Sequence, residues 1–315
     1  MAVPAVRSAR RDLLARLGLR SLSAREAATG YALIVPIYLF FVATVFAPML
    51  FSFYMSLIRW DGLKPLAEAP FLGAGNYAEL AADERFRASL YHDIEFAVET
   101  FVGEITLGLA LALIVNQAKR FVGVTRLFVF APVVLPVAAV AILFVRLMMN
   151  PTYGTFNVLL GAVGLPTSQW TNHPDSAMFS VVLVTIWKSA GYYMVLFLAA
   201  LQGIPEVYYE AAHIDGGGPV ATFRYITLPL LKPAILFICV INLISNLQAF
   251  SQIWVMTSGG PSRATEVLVV LIYNTAFGYF RLSYAATIAV LLFFLILVLT
   301  LVQIRVLRRG GWQEH

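Results

Sequence analysis

The sequence predicts an all-α integral membrane protein with six transmembrane helices and both termini in the cytoplasm. Composition is the first observation behind this: of 315 residues, 60% are hydrophobic and only 12% charged. An ordinary soluble domain is about 45–50% apolar and about 25% charged. The second is that apolar runs long enough to cross a bilayer, roughly 20 residues each, recur along the chain. The third is the uneven placement of lysine and arginine between those runs. A soluble enzyme of this composition would have to bury more apolar surface than its volume allows, so that class is excluded.

The elements follow in chain order. Residues 1–29 form a basic cytoplasmic segment, in which 5–28 have the character of an amphipathic surface helix. The first span, 30–57, is too long for the 7–15-residue core of a secretory signal, and further spans follow it. It carries no charge within its apolar stretch. The second span, 94–117, carries Glu95, Glu99 and Glu104; the third, 127–148, ends near Arg146, which can snorkel to the surface. The fourth, 178–202, carries Lys188. After a polar loop, 203–233, come spans five (234–256) and six (283–304), then a cytoplasmic tail, 306–315. With the N-terminus inside, fourteen of the 22 basic residues lie on the cytoplasmic side and six outside, Arg146 and Lys188 being within spans. The positive-inside rule favours that orientation. The outer loops are then 58–93, 149–177 and 257–282, rich in turn chemistry such as Gly73-Ala74-Gly75-Asn76, Asn150-Pro151 and Gly259-Gly260-Pro261. The stretch 154–164 reads as a short interfacial helix.

The charge pattern also disposes of nucleic acid as a partner. The net charge is +5, but the cations sit at the ends of spans rather than in a patch that could track phosphates. No Gly-Lys pair exists, so there is no P-loop and no means of gripping ATP in that way. The four histidines form no His-Glu-x-x-His pair, and there is no Gly-x-Ser-x-Gly elbow. The lone cysteine, Cys239, lies in an apolar run and reads as a small hydrophobe. The chain is therefore expected to hold no cofactor or metal and to catalyse nothing itself.

The loop 203–233 carries the functional signal. Pro205 suits a first helical turn, and Glu206 and Glu210 complement that end of the helix dipole. Gly216, Gly217 and Gly218 stop the helix and permit positive φ; Pro219 restarts it, and Pro229 and Pro233 lead into span five. Val207, Ala211, Ala212 and Ile214 form an apolar face too small to be a core. A compact helix pair exposed at the membrane surface is a docking element for another protein.

Glu210-Ala211-Ala212, three residues, Gly216, nine residues and then Ile226-x-Leu228-Pro229 resembles the EAA motif of binding-protein-dependent ABC importer permeases at every fixed position. Trp60-Asp61-Gly62, Gly73-x-x-Asn76-Tyr77, Asn150-Pro151-Thr152-Tyr153-Gly154 with Asn157, and Gly259-Gly260-Pro261 with Thr265 extend the likeness to the carbohydrate-uptake permeases, over about residues 30–305. The Gly-Gly-Pro loop is similar to that of the first-type subunit of the usual unlike pair. His92-Asp93-Ile94 departs from the family pattern, where an Asn-Thr pair opens span two. The resemblance implies a type I ABC importer transmembrane domain in the bacterial inner membrane. It implies a second permease subunit, two ATPase subunits that hold ATP and Mg, an extracytoplasmic solute-binding protein and a carbohydrate-like substrate. It assigns Glu210, Ala211, Ala212, Asp215, Gly216, Ile226, Leu228 and Pro229 to the contact with the ATPase.

Polar groups inside a membrane are costly and point to function. Glu104, or Glu99 one turn outward, lies at a depth similar to Lys188, so an intramembrane ion pair is expected, serving either the path or helix packing alone. Asn242, Ser245, Asn246, Gln248 and Gln252 fall on one arc of a continuous span five. Their amides suit sugar hydroxyls, with Trp187, Tyr192 and Tyr193 supplying ring faces; interhelical hydrogen bonding is the alternative role. Two further readings stay open: a polyol, glycerophosphate or acidic sugar as solute, and an ion-driven transporter with Glu99, Glu104 and Lys188 as relay groups.

Overall fold

In the computed structural model, residues 20–117 and 122–309 are described; the arginines of the extreme N-terminus, Lys119, Arg120 and the end of the tail lie outside them. The chain divides into two compact units at the boundary between Met55 and Ser56. The first contributes helix α1, Arg20–Phe41, which continues through a π turn at Val42–Phe46 into Ala47–Met55. Leu33, Ile37 and Phe40 are exposed along it, as lipid contact permits.

The regular structure of the second unit, among its described residues, is helical, joined by turns and loops, with an isolated antiparallel bridge between Ile58 and Phe71. Its helices are α2 (Gly75–Ala82), α3 (Glu84–Gln117), α4 (Val122–Val134), α5 (Val137–Met148), α6 (Thr155–Ala162) and α7 (Pro174–Gln202). They are followed by α8 (Val207–Ile214), α9 (Pro219–Leu247), α10 (Ser251–Thr257), α11 (Leu268–Gly278) and α12 (Leu282–Arg309). Among the described residues, five helices are long and apolar enough to span a membrane, six if the bent pair α4–α5 counts as one span.

Helix α7 is the axis of this unit. Half of its most apolar window is buried, more than in any other span, because small residues let neighbours approach its backbone. A Cβ at Gly191 would strike the Val129 carbonyl oxygen of α4, and one at Gly108 of α3 would meet the Tyr193–Met194 backbone. Around α7 the apolar side chains gather in separate layers: Val181, Val184 and Phe96 in one, Phe197, Met194, Leu231 and Ile238 in another.

Three spans depart from their expected form. The third is not one rod: α4 and α5 meet at 97°, where Pro136 takes an extended ψ of 133°. Proline cannot donate the helical hydrogen bond, and it restricts the residue before it. Span two begins ten residues earlier than expected, since the polar segment from Glu84 is already helical. Span five is continuous from Pro219 through a π turn at Phe223–Thr227 and stops at Leu247. Gln248 leaves the helix at φ −107°, and Phe250 begins a new element, α10.

Candidate functional site

The loop that the sequence singled out forms a helix–break–helix. Val207–Ile214 is helical, Gly216 takes φ +77°, and Pro219 opens α9. The turn is closed by the Gly217 N–H donating to the Ala212 carbonyl at 2.8 Å and the Asp215 N–H to that of Ala211 at 3.0 Å, the pattern that satisfies the last carbonyls of a helix. The second helix is not separate, as expected, but is the start of α9. Glu210, Ala211, Asp215 and Gly216 are exposed, with Ala212, Ile226 and Leu228 half-buried and Pro229 exposed. Ile214 and Val220 show 87% and 80% of their surface, large apolar side chains with no cover in this chain. The Tyr209 and Thr227 hydroxyls, 3.3 Å apart, tie α8 to α9. Behind them a cleft of about 470 Å³ is lined by Leu113, Asn116, Leu201, Tyr209, His213 and Thr227.

Deeper in the bundle lies a buried polar cluster. Glu104 on α3 is 1% exposed, and its Oε2 accepts from Asn242 Nδ2 at 2.7 Å and Asn246 Nδ2 at 2.9 Å, both on α9. Asn246 Nδ2 also donates to Asn242 Oδ1, and Ser189 of α7 donates to the carboxylate. One buried acidic group thus joins three helices.

The expected ion pair is absent, because Glu104 is occupied by these neutral donors. Lys188 Nζ instead donates to the Val133 carbonyl at 3.3 Å; Glu99 is exposed on α3. The break at Pro136 explains the lysine's partner. In an unbroken helix the Val133 carbonyl would accept from residue 137, and at the end of α4 it has no such donor.

The expected polar arc of span five is also dispersed, because the helix ends at Leu247. Asn242 and Asn246 are buried, Ser245 and Gln248 are exposed, and Gln252, on α10, donates to Met256 Sδ at 3.1 Å. Tyr193 is buried. Trp187 and Tyr192 keep 43% and 38% of their surface; the Trp187 ring lies 5.0 Å from that of Phe144.

The turn motifs prove to be internal fasteners. Asn76 Nδ2 donates to the Ser56 and Ile58 carbonyls. Asn157 Oδ1 accepts from Trp170 Nε1 while its Nδ2 reaches the Pro151 and Ser168 carbonyls. Gly154 packs on the Asn150 backbone, where a side chain would not fit. Thr265 Oγ1 lies 2.6 Å from Thr257 Oγ1 and donates to the Gly260 carbonyl. Sequence reading missed a two-point bridge: Arg85 Nε and Nη2 donate to the two oxygens of Glu266 at 2.8 and 2.5 Å, and Asn274 adds a third donor. The partners are 181 residues apart, so no local pattern announces them. Asp93, where the family pattern is broken, is buried against the first backbone N–H of α11.

Residues 104–310 match the family described as binding-protein-dependent transport system inner membrane component. The trehalose/maltose transport system permease protein MalF of Thermococcus litoralis is 35% identical over 285 residues, 90% of this chain and 94% of that protein. A probable ABC transporter permease protein of Bacillus subtilis, YurN, is 34% identical over 284 residues, 89% of this chain and 96% of its own length. The fold is similar to a chain of the bacterial alginate ABC transporter crystallised with an alginate pentasaccharide-bound periplasmic protein. There the TM-score is 0.81 at 22% identity, covering 95% of this chain and all of the other.

Proposed function

The chain belongs to the family of binding-protein-dependent transport system inner membrane components, and from that premise we propose that it is one of two permease chains of an ATP-driven sugar importer. Its relatives serve such transport: MalF by its name carries trehalose and maltose. In this reading both termini are cytoplasmic, the chain holds no cofactor, and ATP and Mg²⁺ belong to two partner ATPase subunits. A binding protein delivers solute to the outer loops, and the path runs between this chain and a second permease.

The observation that carries the proposal is the exposed α8–Gly216–α9 element. ATP-driven closure of the ATPase subunits would move α8, whose uncovered Ile214 and the neighbouring Val220 fit a cleft on the partner. Because α9 is continuous from Pro219 to Leu247, about 43 Å at 1.5 Å per residue, such a displacement reaches Asn242 and Asn246. There Glu104 passes it to α3 and Ser189 to α7. Nucleotide thus biases two arrangements of one bundle.

The test is co-purification of tagged chain from its own membrane. The native protein is expected to bring down an ATPase subunit and a second permease. Gly216→Pro, whose ring fixes φ near −65° where the chain needs +77°, is expected to lose the ATPase and keep the permease. A native chain that emerges alone and still moves solute would end this reading.

A further inference from the structure

Lys188 occupies an unusual position. It lies fourteen residues from each end of Pro174–Gln202, about 21 Å along the axis in either direction. A side chain at that depth cannot snorkel to the surface, and an ammonium left against lipid there is strongly unfavourable. Burial within this chain does not resolve the problem, since the side chain is only half-buried. Nor does pairing. Its hydrogen bond is to the neutral Val133 carbonyl, no ion pair among the described residues includes it, and Glu104, the carboxylate expected as its partner, is bonded to Asn242 and Asn246. A carbonyl uses one of three ammonium protons. Tyr192, four residues on and so on the same helix face, keeps 38% of its surface; Trp187, the preceding residue, keeps 43% and packs its ring on that of Phe144.

An ammonium with protons to spare, held near mid-span on the same helix face as the partly exposed Tyr192 ring, fits a ligand with a negative group and an apolar ring face. Resting on the importer reading above, we infer that Lys188 is a specificity-determining residue for charge and that the solute is an anionic saccharide or sugar acid. Its negative group meets the ammonium as the solute passes the α4–α5 break. The Val133 carbonyl serves as the ammonium's holding point, keeping it at the break when no solute is present.

The test uses the complete complex in proteoliposomes with its binding protein. Thermal shift of the binding protein first identifies which probe it takes among a glucuronate-containing disaccharide, a sulfonated hexose, glycerol phosphate and maltose. Uptake of that probe is then compared in native protein, Lys188→Arg, Lys188→Gln and Lys188→Met. The expectation is that the binding protein selects an anionic probe. Lys188→Gln and Lys188→Met should both reduce its uptake at least about tenfold, the effect of losing one charge-assisted bond, while Lys188→Arg retains most of it. Glutamine keeps an N–H for the Val133 carbonyl but no charge. Native-like uptake by Lys188→Gln would therefore make the lysine a cap for α4 and overturn the inference, as would selection of maltose alone. Failure of Lys188→Gln to assemble with its partners would assign the residue to folding and overturn it equally. Uptake of an anionic probe without ATP, still dependent on charge at 188, would instead sink the importer reading and leave the charge assignment standing.

Discussion

Glu104 shows how a single side chain can hold a membrane bundle together without a counter-ion. In hydrocarbon a carboxylate is tolerated only where donors surround it, and here Asn242, Asn246 and Ser189 supply them. Glu104→Leu would leave those donors without an acceptor, at a cost on the order of 1–2 kcal/mol each. Its thermal unfolding midpoint in detergent should fall clearly below that of the native protein, whereas Glu104→Gln, which keeps a carbonyl acceptor, should lose less. Equal loss in both would show that charge, not acceptance, is what the cluster needs. The sequence displayed these residues as polar groups at membrane depth but not their pairing. The sequence places Glu104 and Lys188 at similar depth, which suggests an ion pair; the partners that each side chain takes in the structure are different ones. Lys188 is held by the Val133 carbonyl, which the break at Pro136 leaves without a helical donor, a match that periodicity does not encode.

At the scale of elements, the break between α4 and α5 and the close seat of Gly191 on Val129 form one packing arrangement. Gly191→Ala would push α4 off α7, and a loss of about 1–3 kcal/mol is expected from overpacking of this kind, read as a lowered unfolding midpoint of the assembled complex. An unchanged midpoint would mean that α4 is free to shift. The loop 257–267 makes a different prediction. Burial pushes the Glu266 carboxyl up, but the Arg85 guanidinium and the Asn274 amide hold it below its usual 4.5. A carboxyl lowered by folding stabilises the folded state above its unfolded value and loses that contribution as pH falls through the folded one. Acidification below about 4.5 should therefore loosen residues 257–267, seen as faster backbone hydrogen exchange there. Glu266→Gln should show that looseness already at neutral pH; slow exchange in the variant would remove the bridge from the account. Of these elements, the α8 loop was legible because its prolines and glycines act locally. The bend at Pro136 and the end of span five at Leu247 were not, since an apolar run continues past both and hydropathy registers no corner.

For the whole molecule, the apolar spans and the exposed α8–α9 helix pair could be read from composition and turn residues, each of which acts over a few positions; the hydrogen bonds that fasten the loops between spans could not. The proposed path could not, because it depends on which faces of α7 and α9 turn outward, and hydropathy does not encode that. The central claim is that movement of α8, driven by ATP on separate subunits, opens and closes that path. Uptake of a labelled solute into proteoliposomes holding the whole complex tests it most directly, with ATP enclosed and the binding protein outside, for native protein and Gly216→Pro. Uptake is expected to require both ATP and the binding protein and to vanish in the variant. Uptake that continues without ATP and follows an ion gradient would contradict it.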